Sequence, residues 1–467
     1  MGNSADMTYG PMRPGADLGH PRQVAETGGL AGRQAQQAPG RPAPEQPAPG
    51  HPGPGAGRRL AGRLREFALA RDGRWLRIGA VAVGLAAVVA YLLPGLPAPA
   101  AHWPMWDVRV YWWGGQQAAR GAALYAPRAP FNFTYPPFAA MVFATTAGTS
   151  TGFLETAITV ASVVALATLC GQSLGAAGLR RRPETVFAVT ALAATTWPVA
   201  YTLHLGEINL ILAALIGADL LSRRDGGWWQ GIGVGLAAGI KLTPLIFVAY
   251  LLLTRRYRAA ATAVATFAAT VAAGFALLPS QSTAFWLHGV FYNQSRIGNT
   301  ANPSNQSLAG AVARLAGSTA AATAGSRPWW IVAVLVTGVA GLTIAAWAHR
   351  RGHRLAGVLC CAITGLLISP ISWTHHWGWA VPLMVALPVA AWQHRSFGLG
   401  LITVAVAVVF CGHIPMLWPG HPPSTERLVT GDLYVLCALA VLAGTALMLT
   451  RERQFPAPGR SRSGRGS

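Results

Sequence analysis

Asp107 is the carboxylate of this chain that is best placed to act as a general base. It lies among Trp106, Tyr111 and Trp112. Aromatic rings offer apolar faces for stacking against a sugar, and low-polarity walls raise the pKa of a carboxyl group. Tyr111 adds a hydroxyl that could bind substrate. The alternative is an aspartate that caps a helix within an interfacial aromatic belt, and the local sequence leaves both interpretations open.

Lys241 is the only lysine in 467 residues, and it lies in an apolar stretch. A cation inside a membrane segment is costly, so it marks either a functional site or a tightly paired structural charge. A compact ammonium suits the phosphate of a lipid. The alternative is a lysine that extends its side chain along apolar surface and places its charge at the interface.

His375 and His376 stand beside Trp373 at the start of another apolar stretch. Adjacent histidines point in different directions on a helix, which disfavours a metal site made from this pair. The chain also offers no carboxylate cluster for a divalent cation, so we predict no metal and no cofactor. We expect the histidines to hydrogen bond phosphate or sugar hydroxyls, although an interfacial aromatic belt would also accommodate them.

A further group of polar residues is suited to recognising sugar hydroxyls. Asn305 and Gln306 offer neutral donors and acceptors, and Glu207 and Asn209 flank an apolar stretch where they could do similar work. We therefore expect these four residues to contact substrate.

The elements that must position these residues are membrane helices. Hydrophobic residues make up 52% of the chain and charged residues only 11%. Several apolar runs approach the roughly 20 residues that cross a bilayer as a helix. The net charge of +21 comes mainly from arginines between these runs, which is typical of cytoplasmic loops and argues against nucleic-acid binding. We predict an all-α, multi-pass protein of the cell membrane, in contact with membrane lipids.

The apolar runs predict about 12 membrane elements, with both termini cytoplasmic. They are 78–95, 137–177, 185–202, 208–222, 229–253, 259–278, 329–348, 354–370, 377–392, 397–416 and 432–450. The run 229–253 is flanked by arginine pairs at both ends and cannot cross only once. Because Pro244 disfavours a continuous helix, we expect two short helices that meet near Lys241. The run 137–177 exceeds one span, so its first part is expected to form a half-helix after Pro136.

Composition divides the chain into four segments. Residues 1–57 are rich in proline and glycine and are predicted to be a disordered cytoplasmic tail. Residues 58–77 suit a basic amphipathic helix on the inner leaflet. Residues 78–450 form the transmembrane catalytic domain, and 451–467 a basic cytoplasmic tail. This topology gathers the candidate residues at the extracytoplasmic face, where the only carboxylates are Asp107, Glu207, Glu426 and Asp432.

Taken together, the motifs resemble the actinobacterial polyprenol-phosphate-mannose-dependent α-1,2-mannosyltransferases, which form glycosyltransferase family 87 of the GT-C superfamily. The matching stretches are DVRVY at 107–111, GAALY at 121–125, FTYPPF at 133–138, GEINL at 206–210, GIKLTP at 239–244, RRYRAA at 255–260, SNQSL at 304–308 and SPISWTHHW at 369–377. Each stretch is short, but together they follow the family's order over roughly residues 75–450, which makes the set specific.

The resemblance implies a GT-C-type helical bundle with extracytoplasmic loops and helices. It implies an inverting transfer of mannose from polyprenyl-phosphate-mannose to a lipid-linked mannoside: a phosphatidylinositol mannoside, lipomannan or lipoarabinomannan. Asp107 matches the family's base for the acceptor 2-hydroxyl, whereas Lys241, His375 and His376 match positions that hold the donor phosphate or orient substrate. The family usually has glutamine where Glu207 stands. Glu207 therefore either keeps the hydrogen bond or competes with Asp107 as the base.

Two other functions fit parts of the sequence. A transferase of the same type could move another sugar, such as arabinofuranose, from a polyprenyl carrier. A transporter or flippase of lipid-linked sugars would need polar residues along a midplane path and paired helix breaks in corresponding halves. The polar residues gather instead at one face, and only one broken hairpin is predicted, so transport is the less favoured function.

Overall fold

The computed structural model describes residues 105–454, with gaps at 129, 223–226, 294–295, 318–323 and 413–428, and a few helical positions between 78 and 85. The predicted segments 1–57 and 58–77 lie outside the described residues. So do most of the first apolar run, nearly all of the basic C-terminal tail and Glu426. The count of about 12 membrane elements depends on that first run and stays a prediction.

Every regular element within the described residues is helical, which confirms the all-α class. In chain order the elements are α1 (Trp106–Ala119), α2 (Pro137–Ala144), α3 (Thr151–Ala176), α4 (Pro183–Ala194), α5 (Trp197–Leu205), α6 (Asn209–Leu220), α7 (Ile232–Ile240), α8 (Ile246–Leu253), α9 (Tyr257–Leu277), α10 (Pro279–Ser282), α11 (Leu308–Leu315), α12 (Arg327–Arg350), α13 (Arg354–Ile368), α14 (Ala380–Gln393), α15 (Phe397–Cys411) and α16 (Leu433–Gln454).

Four of these helices are long and apolar enough to cross a membrane: α3, α9, α12 and residues 433–451 of α16. Shorter apolar helices, α6, α13 and α15 among them, lie between the long ones. Many large apolar side chains on the long helices are exposed, such as Val164 on α3 and Val339 on α12. An exposed apolar surface of this kind needs a lipid surrounding, so the chain is a multi-pass membrane protein.

Two predicted interruptions of the apolar runs are confirmed. In the run 229–253, α7 ends at Ile240, Lys241 is extended (φ −146°, ψ 131°), and a 3₁₀ turn containing Pro244 leads into α8. Because the backbone of Lys241 is not helical, its side chain can extend away from α7 and α8. The run 137–177 likewise divides into the eight-residue α2 and the 26-residue α3.

The predicted apolar run 185–202 is not one continuous helix. The chain forms α4 and α5 instead, and their axes are bent by 80°. Thr196 is extended between them (φ −75°, ψ 143°), and Pro198 lies in the first turn of α5. Proline lacks a backbone N–H and fits the start of a helix but not its interior. The break turns α5 away from α4 and carries residues 206–209 to the functional site.

Several elements converge around that site. The 3₁₀ helix Thr374–Trp379 packs against α5 and α6, while α6 and α9 pack against α7. Gly239 allows α7 and α9 to pack closely, because a Cβ at this position would lie only 2.4 Å from Oγ1 of Thr270 on α9. The helix α1 packs on α2 and also touches α5. Segments far apart in sequence therefore meet at one end of the hairpin formed by α7 and α8.

Candidate active site

A tight turn between α5 and α6 places Glu207. Gly206 adopts the left-handed conformation (φ 68°, ψ 33°) that favours glycine. The backbone N–H of Glu207 then donates to the carbonyl of Thr202 (3.0 Å), and α6 begins two residues later at Asn209. Glu207 is only 1% exposed, so this turn buries a carboxylate at the helix junction.

Lys241 forms an ion pair with this carboxylate. Its Nζ lies 2.6 Å from Oε1 of Glu207 and 2.9 Å from Oδ1 of Asn209. A third neighbour is Nε2 of His376, at 3.4 Å. A second Glu207 oxygen accepts a hydrogen bond from the Asn209 amide. The ammonium is therefore paired inside the protein and does not extend along apolar surface to an interface.

The two histidines are held beside the same ion pair. The carbonyl of His375 accepts hydrogen bonds from Thr202 (2.8 Å) and Asn209 (3.1 Å), which fasten the 3₁₀ helix to α5 and α6. Nε2 of His375 lies 3.7 Å from Oε2 of Glu207. Nε2 of His376 lies 3.8 Å from Oε1 of the same carboxylate. The ring centroids of the histidines are 4.7 Å apart and the planes nearly perpendicular.

Both histidines are neutral near pH 7. Burial lowers the pKa of His375 to about 4; the negative charge of Glu207 opposes this shift and the positive charge of Lys241 adds to it. Burial also lowers the pKa of His376 well below its ordinary value, and Lys241 and His375 lower it further. Neutral imidazoles offer a hydrogen-bond donor without adding charge to the pocket.

Glu207, His375 and His376 present one oxygen and two nitrogens within 4.8 Å of one another, a spacing that could hold a metal ion. However, the Lys241 ammonium already contacts the Glu207 oxygen and the His376 nitrogen. A second cation in that place would meet strong repulsion. The donor set therefore suits the lysine better than a metal, and the absence of a metal from the site stays a prediction.

Tyr135 is a site residue that the sequence reasoning missed. Its hydroxyl donates to Oε1 of Glu207 (3.2 Å), and Nζ of Lys241 lies 5.8 Å from the centre of its ring. Tyr111, a predicted substrate contact, is fully buried, and its hydroxyl lies 3.1 Å from that of Tyr135. Tyr111 thus reaches the pocket only through Tyr135. The FTYPPF motif was the available signal, because Tyr135 is its only ionisable residue.

Asp107 faces this group from the first turn of α1. It is half-buried and makes no salt bridge within the described part of the chain. Burial raises the pKa of Asp107 to about 8; the charge of Glu207 adds to the shift and the ammonium of Lys241 opposes it. The charge of Asp107 also acts on Tyr201, whose ring packs edge-on against His375 at 5.3 Å. Asp107 therefore lies in the same electrostatic environment as the ion pair.

Two of the predicted substrate contacts, Asn305 and Gln306, are not exposed at the pocket. Both side chains are 0% exposed. The Asn305 amide donates to the carbonyls of Thr300 and Pro370, and its oxygen accepts from the N–H of Ser372 (2.8 Å). These bonds, together with an isolated backbone bridge to Trp373, brace the segment that carries the histidines.

Gln306 is satisfied by the protein in the same way. Its amide donates to the carbonyls of Pro303 and Gly431, and its oxygen accepts from the N–H of Tyr434. The side-chain nitrogen and oxygen of both Asn305 and Gln306 already have hydrogen-bond partners in the protein. We therefore do not propose either residue as a substrate contact. Trp373 is half-buried, and its ring would lie 3.1 Å from a Cβ at Gly298.

Asp432 is also paired with another side chain of the protein. It pairs with Arg314, which in addition donates to the carbonyls of Asn302 (2.8 Å) and Asn305 (3.0 Å). This buried ion pair ties the start of α16 to α11 and the loop before it. Of the four carboxylates predicted at the extracytoplasmic face, Glu207 and Asp432 are paired and Glu426 lies outside the described residues. Asp107 has no ion-pair partner in the part of the chain that the structure describes.

A narrow cavity of about 60 Å³ extends from the ion pair between the helices. Lys241, Asn209, His376 and Ser372 line one part of it. The rest is apolar and is lined by residues of α6, α8 and α13, among them Leu212, Ile216, Phe247 and Leu366. A polar head with an apolar continuation fits an amphiphilic molecule that carries an anionic group.

The fold and the site together define an all-helical, multi-pass membrane protein. Its site combines a half-buried lysine paired with a glutamate, two neutral histidines, and an aspartate that has no ion-pair partner among the described residues. The model of glycosyltransferase family 87 matches residues 133–370. The chain belongs to this family.

Curated relatives agree with this assignment. A polyprenol-phosphate-mannose-dependent alpha-(1-2)-phosphatidylinositol mannoside mannosyltransferase of Mycobacterium tuberculosis is 33% identical over 374 residues, which cover 74% of this chain and 85% of that protein. A polyprenol-phosphate-mannose-dependent alpha-(1-2)-phosphatidylinositol pentamannoside mannosyltransferase of Mycolicibacterium smegmatis is 32% identical, covering 73% and 84%. The crystal structure of ArnT from Cupriavidus metallidurans bound to undecaprenyl phosphate superposes with a TM-score of 0.39 at 21% identity, covering 82% of this chain and 73% of that one.

Proposed function

We propose that this protein transfers mannose from polyprenyl-phosphate-mannose to a hydroxyl of a lipid-anchored mannoside, at the extracytoplasmic face of the membrane. The main support is the placement of Asp107, which has no ion-pair partner within the described residues and lies close enough to Glu207 and Lys241 for their charges to act on it. Two relatives that are at least 32% identical carry names that state this donor.

The donor phosphate fits the polar part of the cavity. Lys241 and His376 line that part, and the apolar remainder could take the first units of the polyprenyl chain. A phosphodiester carries one negative charge, and it gains a second as the sugar leaves. Positive charge and hydrogen-bond donors placed at the phosphate therefore stabilise the transition state more than the bound donor.

Asp107 is the proposed base. It removes the proton from the acceptor hydroxyl, whose oxygen then forms a bond to C1 of mannose. The C1–O bond to phosphate breaks at the same centre, and polyprenyl phosphate leaves with the bonding electrons. Attack opposite the leaving phosphate converts a β-linked donor into an α-linked product. No redox step occurs, and the proton stays on Asp107 until it passes to solvent.

Sidedness is part of this proposal and rests on the arginine pattern. Ala126 is exposed in a segment that we place outside the cell, whereas Arg182 is exposed in a segment that we place in the cytoplasm. In a background with the exposed Cys411 replaced by serine, an impermeant thiol reagent added to intact cells should label Ala126→Cys but not Arg182→Cys. Labelling of Arg182→Cys alone would reverse the orientation and refute the proposed site of action.

The central test is transfer by the purified protein in lipid. Labelled polyprenyl-phosphate-mannose is supplied with phosphatidylinositol mannosides, lipomannan or lipoarabinomannan as acceptors. We expect a mannosylated product with wild type and a loss of about 10²–10⁴-fold with Asp107→Asn, the usual contribution of a general base. Glu184→Gln removes a carboxylate from the first turn of α4 and serves as the matched control.

Other outcomes would refute the proposal in distinct ways. Transfer from polyprenyl-phosphate-arabinose but not from the mannose donor would change the sugar. Movement of the intact donor across vesicle membranes, without any transfer, would make the protein a transporter. Full activity of Asp107→Asn would remove Asp107 as the base.

A further inference from the structure

The Lys241 ammonium has three N–H groups and three neighbours in the pocket. Two contacts are close, to Glu207 at 2.6 Å and to Asn209 at 2.9 Å. The third, to Nε2 of His376 at 3.4 Å, is at the limit of a hydrogen bond. One donor of Lys241 is therefore only weakly used, and it points to the side of the ammonium where His376 lines the cavity.

Glu207 is itself immobilised by the protein. One of its oxygens accepts from the Tyr135 hydroxyl, and the other from the Asn209 amide. It is almost fully buried, and the left-handed Gly206 places it on a tight turn. A ligand is thus expected to replace His376 as the third partner of Lys241, because displacing Glu207 would leave a carboxylate buried without its counter-ion.

We propose that Glu207 is a positioning residue. Together with Asn209, it directs the weakly used N–H of Lys241 toward the donor phosphate, and it weakens the attraction between the ammonium and that phosphate by neutralising part of the positive charge. This inference rests on the proposed function and deepens it. It also makes Glu207 a partner of Lys241 instead of a second base.

The partial neutralisation has a chemical use. A fully charged, buried ammonium would bind the dianionic polyprenyl phosphate product tightly, and tight binding of product slows turnover. Glu207 reduces this attraction, since its carboxylate lies 2.6 Å from the ammonium and offsets part of the positive charge. The same charge disfavours ionisation of Asp107. A single side chain thus influences both the phosphate site and the base.

Several titratable or charged groups face Asp107 and Glu207 from the surrounding elements. They are Arg109 and Tyr111 on α1, Tyr135 before α2, Tyr201 on α5, Lys241 after α7, and His375 and His376 on the 3₁₀ helix. Burial lowers the pKa of both histidines, that of His375 to about 4, and Arg109 is exposed with its guanidinium over the Trp106 ring at 5.7 Å. Glu207 is therefore the group whose removal changes the charge opposite Asp107 most directly.

The test compares Glu207→Gln with Tyr135→Phe. The glutamine keeps a hydrogen-bonding side chain but removes the charge, whereas the phenylalanine removes one hydrogen bond to Glu207 and keeps the charge. With Glu207→Gln, we expect undecaprenyl phosphate to bind about tenfold more tightly and the acid limb of the rate–pH profile to move down by about one pH unit. With Tyr135→Phe, the acid limb should stay where it is in wild type.

Binding of undecaprenyl phosphate is measured without any sugar donor, so it separates this inference from the proposed function. If wild type binds the lipid phosphate but transfers no mannose, the proposed function fails while the comparison of affinities still tests Glu207. Unchanged or weaker binding by Glu207→Gln, in a protein that melts at the wild-type temperature, would overturn the inference. So would an acid limb that does not move in an active Glu207→Gln enzyme.

Discussion

Val108 and Gly206 are in such close contact that a Cβ on Gly206 would lie 2.2 Å from Cγ2 of Val108. Val108 follows the proposed base Asp107 in α1, and Gly206 precedes Glu207 between α5 and α6. This contact therefore sets the distance from the base to the ion pair. Glycine is required here for two reasons, its positive φ and the space it leaves for α1.

The substitution Gly206→Ala should move Asp107 away from the ion pair of Glu207 and Lys241. Alanine is strained at φ 68°, and its methyl group would displace α1. We expect a loss of about 2 kcal/mol of stability or more and a fall in transfer of at least about tenfold, since small displacements of a base are costly. Thermal unfolding in detergent and transfer in lipid are the measurements.

Gly148→Ala is the matched control. A Cβ at Gly148 would meet no atom within 4 Å, and this glycine does not have a positive φ. Its unfolding temperature and activity should equal those of wild type. Equal behaviour of the two variants would show that the contact between Val108 and Gly206 does not position the site.

Lys241→Arg tests whether a compact ammonium is needed. Arginine keeps the charge, but its planar fork is larger and cannot take the three directions that the ammonium now uses. We expect the KM for the lipid donor to rise by about tenfold, while the KM for the acceptor changes little. Lys241→Met removes the charge and should lower kcat as well. An arginine variant with wild-type donor kinetics would contradict the proposed phosphate contact.

The rate of transfer should increase with pH through the pKa of Asp107. Only the deprotonated carboxylate accepts a proton, and burial with the charge of Glu207 raises this pKa to about 8. Activity should therefore fall as the pH drops from about 8 to 6. His375, with a pKa lowered to about 4, adds no titration in that range. A flat profile between pH 6 and 8.5 in a reaction limited by chemistry would exclude Asp107 as the base.

Breaking the buried pair of Arg314 and Asp432 should destabilise the fold around the histidine segment. Arg314→Met leaves the Asp432 carboxylate buried without its counter-ion, and such changes cost about 3–5 kcal/mol. It also removes the donor to the Asn305 carbonyl. We expect a clear drop in unfolding temperature, partly restored by the double variant Arg314→Met/Asp432→Leu. A double variant no more stable than Arg314→Met would mean that unpaired charge is not the cause.

The membrane architecture was largely predictable from the sequence. The arginine pairs around 229–253 indicated a hairpin, and Pro244 located its break next to Lys241, as the structure confirms. The bend between α4 and α5 was missed, because Pro198 lies inside an apolar run and a proline there fits either a kinked span or a new helix. Apolar content alone does not distinguish these two outcomes.

Residue types and motif order were sufficient to predict the family and to single out Asp107, Lys241, Glu207 and the two histidines. The tertiary structure determines which polar side chains are already hydrogen bonded within the protein. Asn305 and Gln306 look like free amides in the sequence but are consumed by backbone groups, whereas Tyr135 gains its place only because α2 and α5 bring it to Glu207. Hydrogen-bond partners more than 60 residues apart leave no trace in local sequence.

Apolar runs, charge bias and short motifs are local properties of the chain, and they were enough to identify a helical membrane protein of glycosyltransferase family 87 with few reactive side chains. The folded structure was needed to show that Glu207 pairs with Lys241, that Asp107 has no ion-pair partner among the described residues, and that burial lowers the pKa of both histidines. Those properties arise from burial and from distances between segments, which depend on how the helices pack.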